Sequence, residues 1–243
     1  MHSITRRSRL GRAAALALVT AASTVGCVTL QGPPDPQDPW ESLNRGVFSF
    51  NQTVDRAVLK PLAETYQLLT PAVVDRSVTS FFSNINDVVV VANDLLQLKI
   101  EQAISDLGRI VANSTFGLLG LFDVATTLGM EKHNEDFGQT LGYWGIDTGP
   151  YLVLPLLGPS NVRDTFGWAG DIAVSPLTDV ESPVRGWLVA LRVVDTRADL
   201  LSASRIAETA ALDEYVFLRD VYLQRRRYLV YDGSPPPMPL EDE

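Results

Sequence analysis

The run Glu131-Lys132-His133-Asn134-Glu135-Asp136 holds three acids and a histidine, the first place to look for acid–base or metal chemistry. The rest of the chain gives it no help. There are two histidines, and His2 belongs to a leader, so His133 stands alone in what remains. A zinc site wants two or more His or Cys ligands at fixed spacing, which Glu131 and Glu135 do not replace. A Ser-His-Asp hydrolase would be expected to show a G-x-S-x-G elbow, and none is present. The glycine-rich run Gly138 to Gly149 lacks the Lys-Ser/Thr of a phosphate loop, and no strand is predicted before it. These residues predict no enzyme, no catalytic residue, no metal and no cofactor, with His133 in a solvated polar loop.

Cys27 is the one cysteine. Residues 1–26 read as a secretory leader: Arg6, Arg7, Arg9 and Arg12 form a basic start, and a short apolar run from Ala13 to Val19 follows. A thiol directly after Thr24-Val25-Gly26 looks like the lipidated cysteine of a bacterial lipoprotein, so Cys27 is the expected lipid anchor. Thr24 departs from the usual leucine of that pattern. Several acyl chains on one cysteine would anchor the chain essentially permanently, since each buried CH2 contributes ~0.8 kcal/mol.

The stretch from Phe137 to Trp168 is the most distinctive in the chain. It carries six of the seventeen glycines and three of the fifteen prolines. Gly138, Gly142, Gly145 and Gly149 recur every three to four residues, and a helix-interior glycine costs about 1 kcal/mol against alanine. Such spacing predicts close backbone approach or a broken helix. Tyr151 to Leu157 follows as an uncharged apolar run, which spans at most ~12 Å if helical and is too short to cross a bilayer.

Around this stretch the chain predicts an all-α domain over 40–231, preceded by a Pro-rich tether at 27–39 and followed by an acidic, Pro-rich, disordered tail at 232–243. A first helix begins near Trp40, with a stripe of Leu43, Val47, Phe50 and Val54, and is bounded by Pro61. The longest helix spans 73–97, roughly 35 Å, with an apolar face from Val74 to Leu96. Asp75, Arg76, Asp87 and Asp94 make it amphipathic, because a charge at the bilayer centre costs about 2.5–3.5 kcal/mol. Helices follow at about 99–113, after an Asn161 or Ser160 cap, after Ser182-Pro183, and over 203–230. The last of these holds Arg225-Arg226-Arg227, cations suited to a helix C-terminus and candidates for docking an acidic partner. No β-alternation is evident.

Removing the leader takes four arginines from a total of 20 basic residues and leaves 16 against 29 acids, a formal net of −13. So acidic a chain is unsuited to nucleic acid or to electrostatic attraction by anionic lipid. Yet 46% of residues are apolar. Acidic, greasy and without a 20-residue span, the chain is expected to meet lipid by hydrophobic contact.

The segments Asp38-Pro39-Trp40-Glu41-Ser42-Leu43-Asn44-Arg45, Phe48-Ser49-Phe50-Asn51, Asn113-Ser114-Thr115, Gly120 to Ala125, and Phe137 through Gly149-Pro150-Tyr151 to Gly158-Pro159-Ser160 with Arg163-Asp164 resemble the MlaA (VacJ) family of outer-membrane lipoproteins. The resemblance covers roughly 38–230. It implies amphipathic helices arranged as a membrane-embedded ring with a central pore, held at the periplasmic leaflet of the outer membrane. It further implies removal of mislocalised phospholipid from the outer leaflet, delivery to a periplasmic MlaC-like carrier feeding an inner-membrane ABC transporter, and association with a trimeric porin. Within that picture Phe48, Phe50, Asn51, Gly138, Gly142, Gly145, Gly149, Tyr151 and Leu154 are the candidate lining of the lipid passage. The competing expectation is a porin-associated structural lipoprotein that moves no lipid.

Overall fold

The computed structural model describes residues 35–237. The leader, Cys27, most of the tether and the end of the tail lie outside them. Helices α1 (Glu41–Val54) and α2 (Lys60–Leu69) run on as one rod through a π-helical turn at Asp55–Leu59. Pro61 therefore does not end the first helix, as the sequence predicts. The Lys60 N–H bonds Asp55 O five residues back, and the widened turn places Pro61, which has no N–H, at the start of α2, where a donor is not required. Then come α3 (Ala72–Leu96), α4 (Ile100–Thr115), α5 (Val124–Thr127) and α6 (Phe137–Tyr143). After a hairpin lie α7 (Val162–Val174), α8 (Val184–Asp199), α9 (Leu201–Ala210) and α10 (Glu214–Val230). The predicted 203–230 helix is two helices, parted at residues 211–213 before the Asp213 cap of α10. Helix α8 begins at Val184 with Pro183 before it, and Ser182 makes no capping bond. The Asn161 cap forms as expected, accepting from Asp164 N at 2.7 Å, and Asp123 caps α5 by accepting from Thr126 N at 3.0 Å.

The all-α class expected from the sequence holds, with the addition of one small hairpin. Tyr151–Leu154 (β1) and Gly158–Asn161 (β2) pair antiparallel, Tyr151 opposite Asn161 and Leu154 opposite Gly158. A two-stranded hairpin is marginal alone, and its open edge needs partners. Two asparagines seven residues apart on α1 supply them. Asn44 Nδ2 donates to Tyr151 O (3.0 Å) while its Oδ1 accepts from Val153 N (2.9 Å). Asn51 does the same for Leu154 O (2.9 Å) and Leu156 N (2.8 Å). Alternation of apolar and polar residues could not reveal these strands, because their edge is satisfied by side chains rather than by another strand.

Asn44 is the one buried residue of α1, while Leu43 and Phe50 of the predicted apolar stripe are each 51% exposed. The inversion is general. On α3, Asp87, Asn93 and Asp94 are buried beside Phe82, Val89 and Val90, whereas Val74, Leu95 and Leu96 face out. On α4, Asp106, Arg109 and Asn113 face in and Ile100, Ile104, Leu107 and Val111 form an exposed stripe. The bulkiest fully buried side chain in the described residues is Arg109. Its Nη1 donates to Met130 O at 2.7 Å, and its Nη2 reaches Asp123 at 3.2 Å. Lys132 bonds Asp87, and His133 Nδ1 lies 2.7 Å from Asp106 Oδ2. The loop predicted to be solvated is thus folded back onto α3 and α4. Buried carboxylates need partners, and its Lys and His provide them.

Apolar aggregates are small: Ala63, Ala198 and Leu201 in one, Tyr151, Val153 and Tyr215 in another. Outside, Leu68 is 83% exposed, and Leu69, Leu119 and Trp187 are each 74% exposed. At about 25 cal/mol per Å² such a surface is costly in water and costs nothing in hydrocarbon. Among the described residues no helix is long and apolar enough to cross a membrane.

Candidate functional site

Helix α6 starts where Asp136 accepts from Gln139 N (2.8 Å), and α7 starts at the Asn161 cap, which puts Asp164 in its first turn. Helix α10 brings Arg226 between them. Its Nη2 reaches Asp136 Oδ1 at 2.9 Å and Asp164 Oδ1 at 3.0 Å, and Nη1 donates to Asp136 as well. Burial pushes the Asp136 carboxyl up, but the Arg226 guanidinium outweighs it and holds the group below its ordinary range. Tyr222 Oη donates to Asp164 Oδ2 at 2.7 Å.

Three cavities meet at this cluster, and Arg226 lines all three. The first, about 460 Å³, runs between Asn86 and Val89 of α3, Trp168, Asp171 and Ile172 of α7, and Arg192 of α8. The third, about 250 Å³, is walled by Leu154, Leu157, Pro159 and Trp168 and shares Asp136, Asp171, Tyr222 and Arg226 with the first. The second, about 680 Å³, is bounded by Gly142, Gly145, Gly149, Arg163, Arg227 and Val230. The first and third each set charged residues beside apolar ones.

The predicted lining is divided by this geometry. Gly142, Gly145, Gly149 and Leu154 border cavities. Gly138 sits behind the charged cluster, where a Cβ would stand 2.5 Å from Asp164 Oδ1. A Cβ on Gly142 would meet Arg163 Nη1 at 2.7 Å, so that glycine makes room for a neighbouring side chain, whereas Gly145 has open space around it. Tyr151 is buried and Phe48 packs edge-on against Tyr215 at 5.6 Å. Phe50 faces outward, and Asn51 holds the hairpin. Of the three arginines, Arg226 turns inward, Arg227 donates to Pro236 O, and Arg225 is exposed at the rim of the first cavity. Sequence reasoning missed Asp136, Trp168, Asp171, Arg192 and Tyr222 as wall residues. Two caps, at Asp136 and Asn161, were the available signal, since they set where each helix presents its first turn.

Two carboxyls, Asp94 buried and Asp171 half-buried, carry a pH dependence. Burial, with the Asp136 charge adding to it, raises Asp171 to about 6, although Phe137 N and Asn93 Nδ2 donate to it at 2.9 and 3.1 Å. Burial and the charges of Asp106 and Glu135 raise Asp94 to about 7, and neither of its oxygens finds a partner. An unfolded carboxyl ionises near 4. The stability these groups contribute is therefore complete below about pH 4 and is lost as pH rises through 6 to 7. Asp94→Asn should consequently raise Tm at pH 8 by several degrees, on the order of 1–3 kcal/mol, and leave it nearly unchanged at pH 4. Equal shifts at both pH values would refute a buried, reluctantly ionised Asp94.

The model of the MlaA lipoprotein family matches residues 36–229. The intermembrane phospholipid transport system lipoprotein MlaA of Escherichia coli (strain K12) is 30% identical over 241 residues, covering 93% of this chain and 91% of that one. An uncharacterized protein of Rickettsia prowazekii (strain Madrid E) is 35% identical over 192 residues, 78% of this chain and 76% of its own. A solved structure described as the "Structural basis for maintenance of bacterial outer membrane lipid asymmetry" superposes with a TM-score of 0.71 at 27% identity, covering 79% of this chain and 98% of that one. A family match over this much of a chain, carried on the same helices that build the charged cluster, has one meaning: the chain belongs to the MlaA lipoprotein family.

Proposed function

We propose that this protein transports phospholipid between membranes and so maintains the lipid asymmetry of the bacterial outer membrane. The observation that carries it is the set of neighbouring cavities that share Arg226, with charged and apolar residues side by side, inside a fold whose exterior is greasy and whose interior is polar. A phospholipid needs both at once, for its head and for its chains. The exposed apolar helices would lie in one leaflet as a ring around a lipid passage, with acyl chains on Cys27 as the anchor on the periplasmic side. Phospholipid misplaced in the outer leaflet would descend through it to a soluble carrier and thence to an inner-membrane ABC transporter, with a trimeric porin alongside. MlaA of Escherichia coli is named as the lipoprotein of an intermembrane phospholipid transport system, which supports a role in phospholipid transport here.

The passage is tested by filling it. Ser175 lines the first cavity and Leu157 the third. Ser175→Trp and Leu157→Trp should each raise outer-leaflet phospholipid severalfold, read by outer-leaflet lipid labelling, with protein abundance and anchoring intact. They are better plugs than a bulky residue at Gly142, which would first disturb Arg163. Normal asymmetry at normal abundance in both variants would sink the proposal.

A further inference from the structure

Three arginines and three acids line the first cavity, and two of the arginines, Arg192 and Arg225, have no acid partner among the described residues. Glu135, on its wall, accepts from Gln97 Nε2 at 2.8 Å and from Lys99 Nζ at 3.0 Å. Asp136 is held by Arg226. Asp171 takes its bonds from Phe137 N and Asn93. Arg192, at the opposite side on α8, has a single bond, a 3.3 Å contact from Nη2 to Asn86 Oδ1, and no acid lies within ion-pair reach of it among the described residues. Arg225 likewise has no ion pair there. Glu135 is thus paired with Lys99 and Asp136 with Arg226, while Asp171, the third acid of the lining, makes no ion pair with Arg192 or Arg225. Burial accordingly pulls the Arg192 guanidinium down from its ordinary value, with no acid to offset it. A half-buried guanidinium with one weak bond is a donor set without its acceptor.

We infer that Arg192 and Arg225 form a subsite for a phosphate diester, the monoanionic group of a phospholipid head, at the first cavity of the passage. This rests on the transport reading above and assigns the head of the lipid to a definite wall. The planar fork of arginine matches phosphate oxygens in pairs, and a monoanion would take up the donors that no acid occupies on Arg192 and Arg225. Lipid is favoured over free phosphate as the source because the third cavity, with Leu154, Leu157 and Pro159, opens from the same Trp168, Asp171 and Tyr222. A chain-bearing ligand can occupy both.

The test measures lipid retention by the full-length, detergent-purified protein in native mass spectrometry, with phosphatidylglycerol, diacylglycerol and inorganic phosphate as probes. Wild type should retain phosphatidylglycerol at least tenfold better than diacylglycerol. Arg192→Gln and Arg225→Gln should each weaken phosphatidylglycerol on the order of tenfold, the double variant more, and diacylglycerol not at all. Arg192→Lys should recover part of the loss. Arg192 makes so few internal bonds that Tm should hardly change, which separates binding from folding. Should the double variant retain phosphatidylglycerol normally while Ser175→Trp loses it, the phosphate subsite is overturned and the passage stands. Should wild type retain no lipid of either kind, the passage falls and the subsite with it. Arginine-dependent binding of inorganic phosphate with unchanged lipid retention would assign the guanidiniums to a free anion and overturn the lipid-head assignment.

Discussion

Arg226→Ala is expected to cost about 3–5 kcal/mol and to lower Tm by roughly 10 °C, enough to deplete the protein from the cell envelope. The guanidinium is 12% exposed and joins carboxylates that start two different helices, Asp136 at α6 and Asp164 in α7. Without it Asp136, half-buried, would lose its ion pair, and Asp164, 9% exposed, would keep only Arg163, at 3.0 Å, as an ion-pair partner. Removing one partner of a buried pair is far more damaging than never having had the pair, because the surviving charges keep their desolvation cost. Tyr222 and Gln139 would still donate to Asp164 and Asp136, which limits the loss. Arg226→Lys should recover less than half, since an ammonium cannot present the flat, forked set of donors that reaches both carboxylates at 2.9 and 3.0 Å. Thermal or denaturant unfolding of the purified variants decides it. An Arg226→Ala protein melting within 2 °C of wild type would show that the three helices are held by something else.

What the sequence discloses about this molecule is set by which solvent each side chain meets. Helix positions were legible because they follow period and punctuation: α3 was expected at 73–97 and spans Ala72–Leu96, and the Asp123 and Asn161 caps form as their residue types dictate. Facing was not legible by the same rule. Leu43 and Phe50 fall on a stripe that would point to the core of a water-soluble domain, yet Asn44 points in. In a fold that lies in lipid, as proposed for this one, the hydrophobic stripe marks the outside, and periodicity alone has the same value for either solvent. The charged cluster was illegible for a related reason. Asp136, Asp164 and Arg226 are far apart in the chain, and each has a bland local role as cap, first-turn acid or cation near a helix C-terminus. Only the crossing of α6, α7 and α10 brings them together. The fold class came from the repeated helical period, whereas the hairpin escaped because Asn44 and Asn51, rather than neighbouring strands, satisfy its edge.

That crossing depends on Gly167, and Gly167→Ala is expected to cost about 3 kcal/mol. Helix propensity alone would make the change favourable by ~1 kcal/mol, so the sign itself is informative. A Cβ at 167 would stand 2.4 Å from Gly138 N and 2.6 Å from Gly138 Cα. Both are backbone atoms with nowhere to turn, so α6 and α7 must part. Their separation carries Asp136 away from Asp164, and a single guanidinium can no longer hold both. The damage therefore passes through the Arg226 cluster into the wall of the passage, and transport should fail even in protein that remains folded. Gly145→Ala is the fitting control. It has nothing within 4 Å and suffers only its positive φ of 86°, about 1–2 kcal/mol of backbone strain. Because Gly167 and Arg226 serve one crossing, the double variant Gly167→Ala, Arg226→Ala should lose less than the two single losses together, by 1 kcal/mol or more. Additive losses, or a Gly167→Ala cost no greater than that of Gly145→Ala, would mean that the two helices do not depend on this contact to set the distance between their carboxylates.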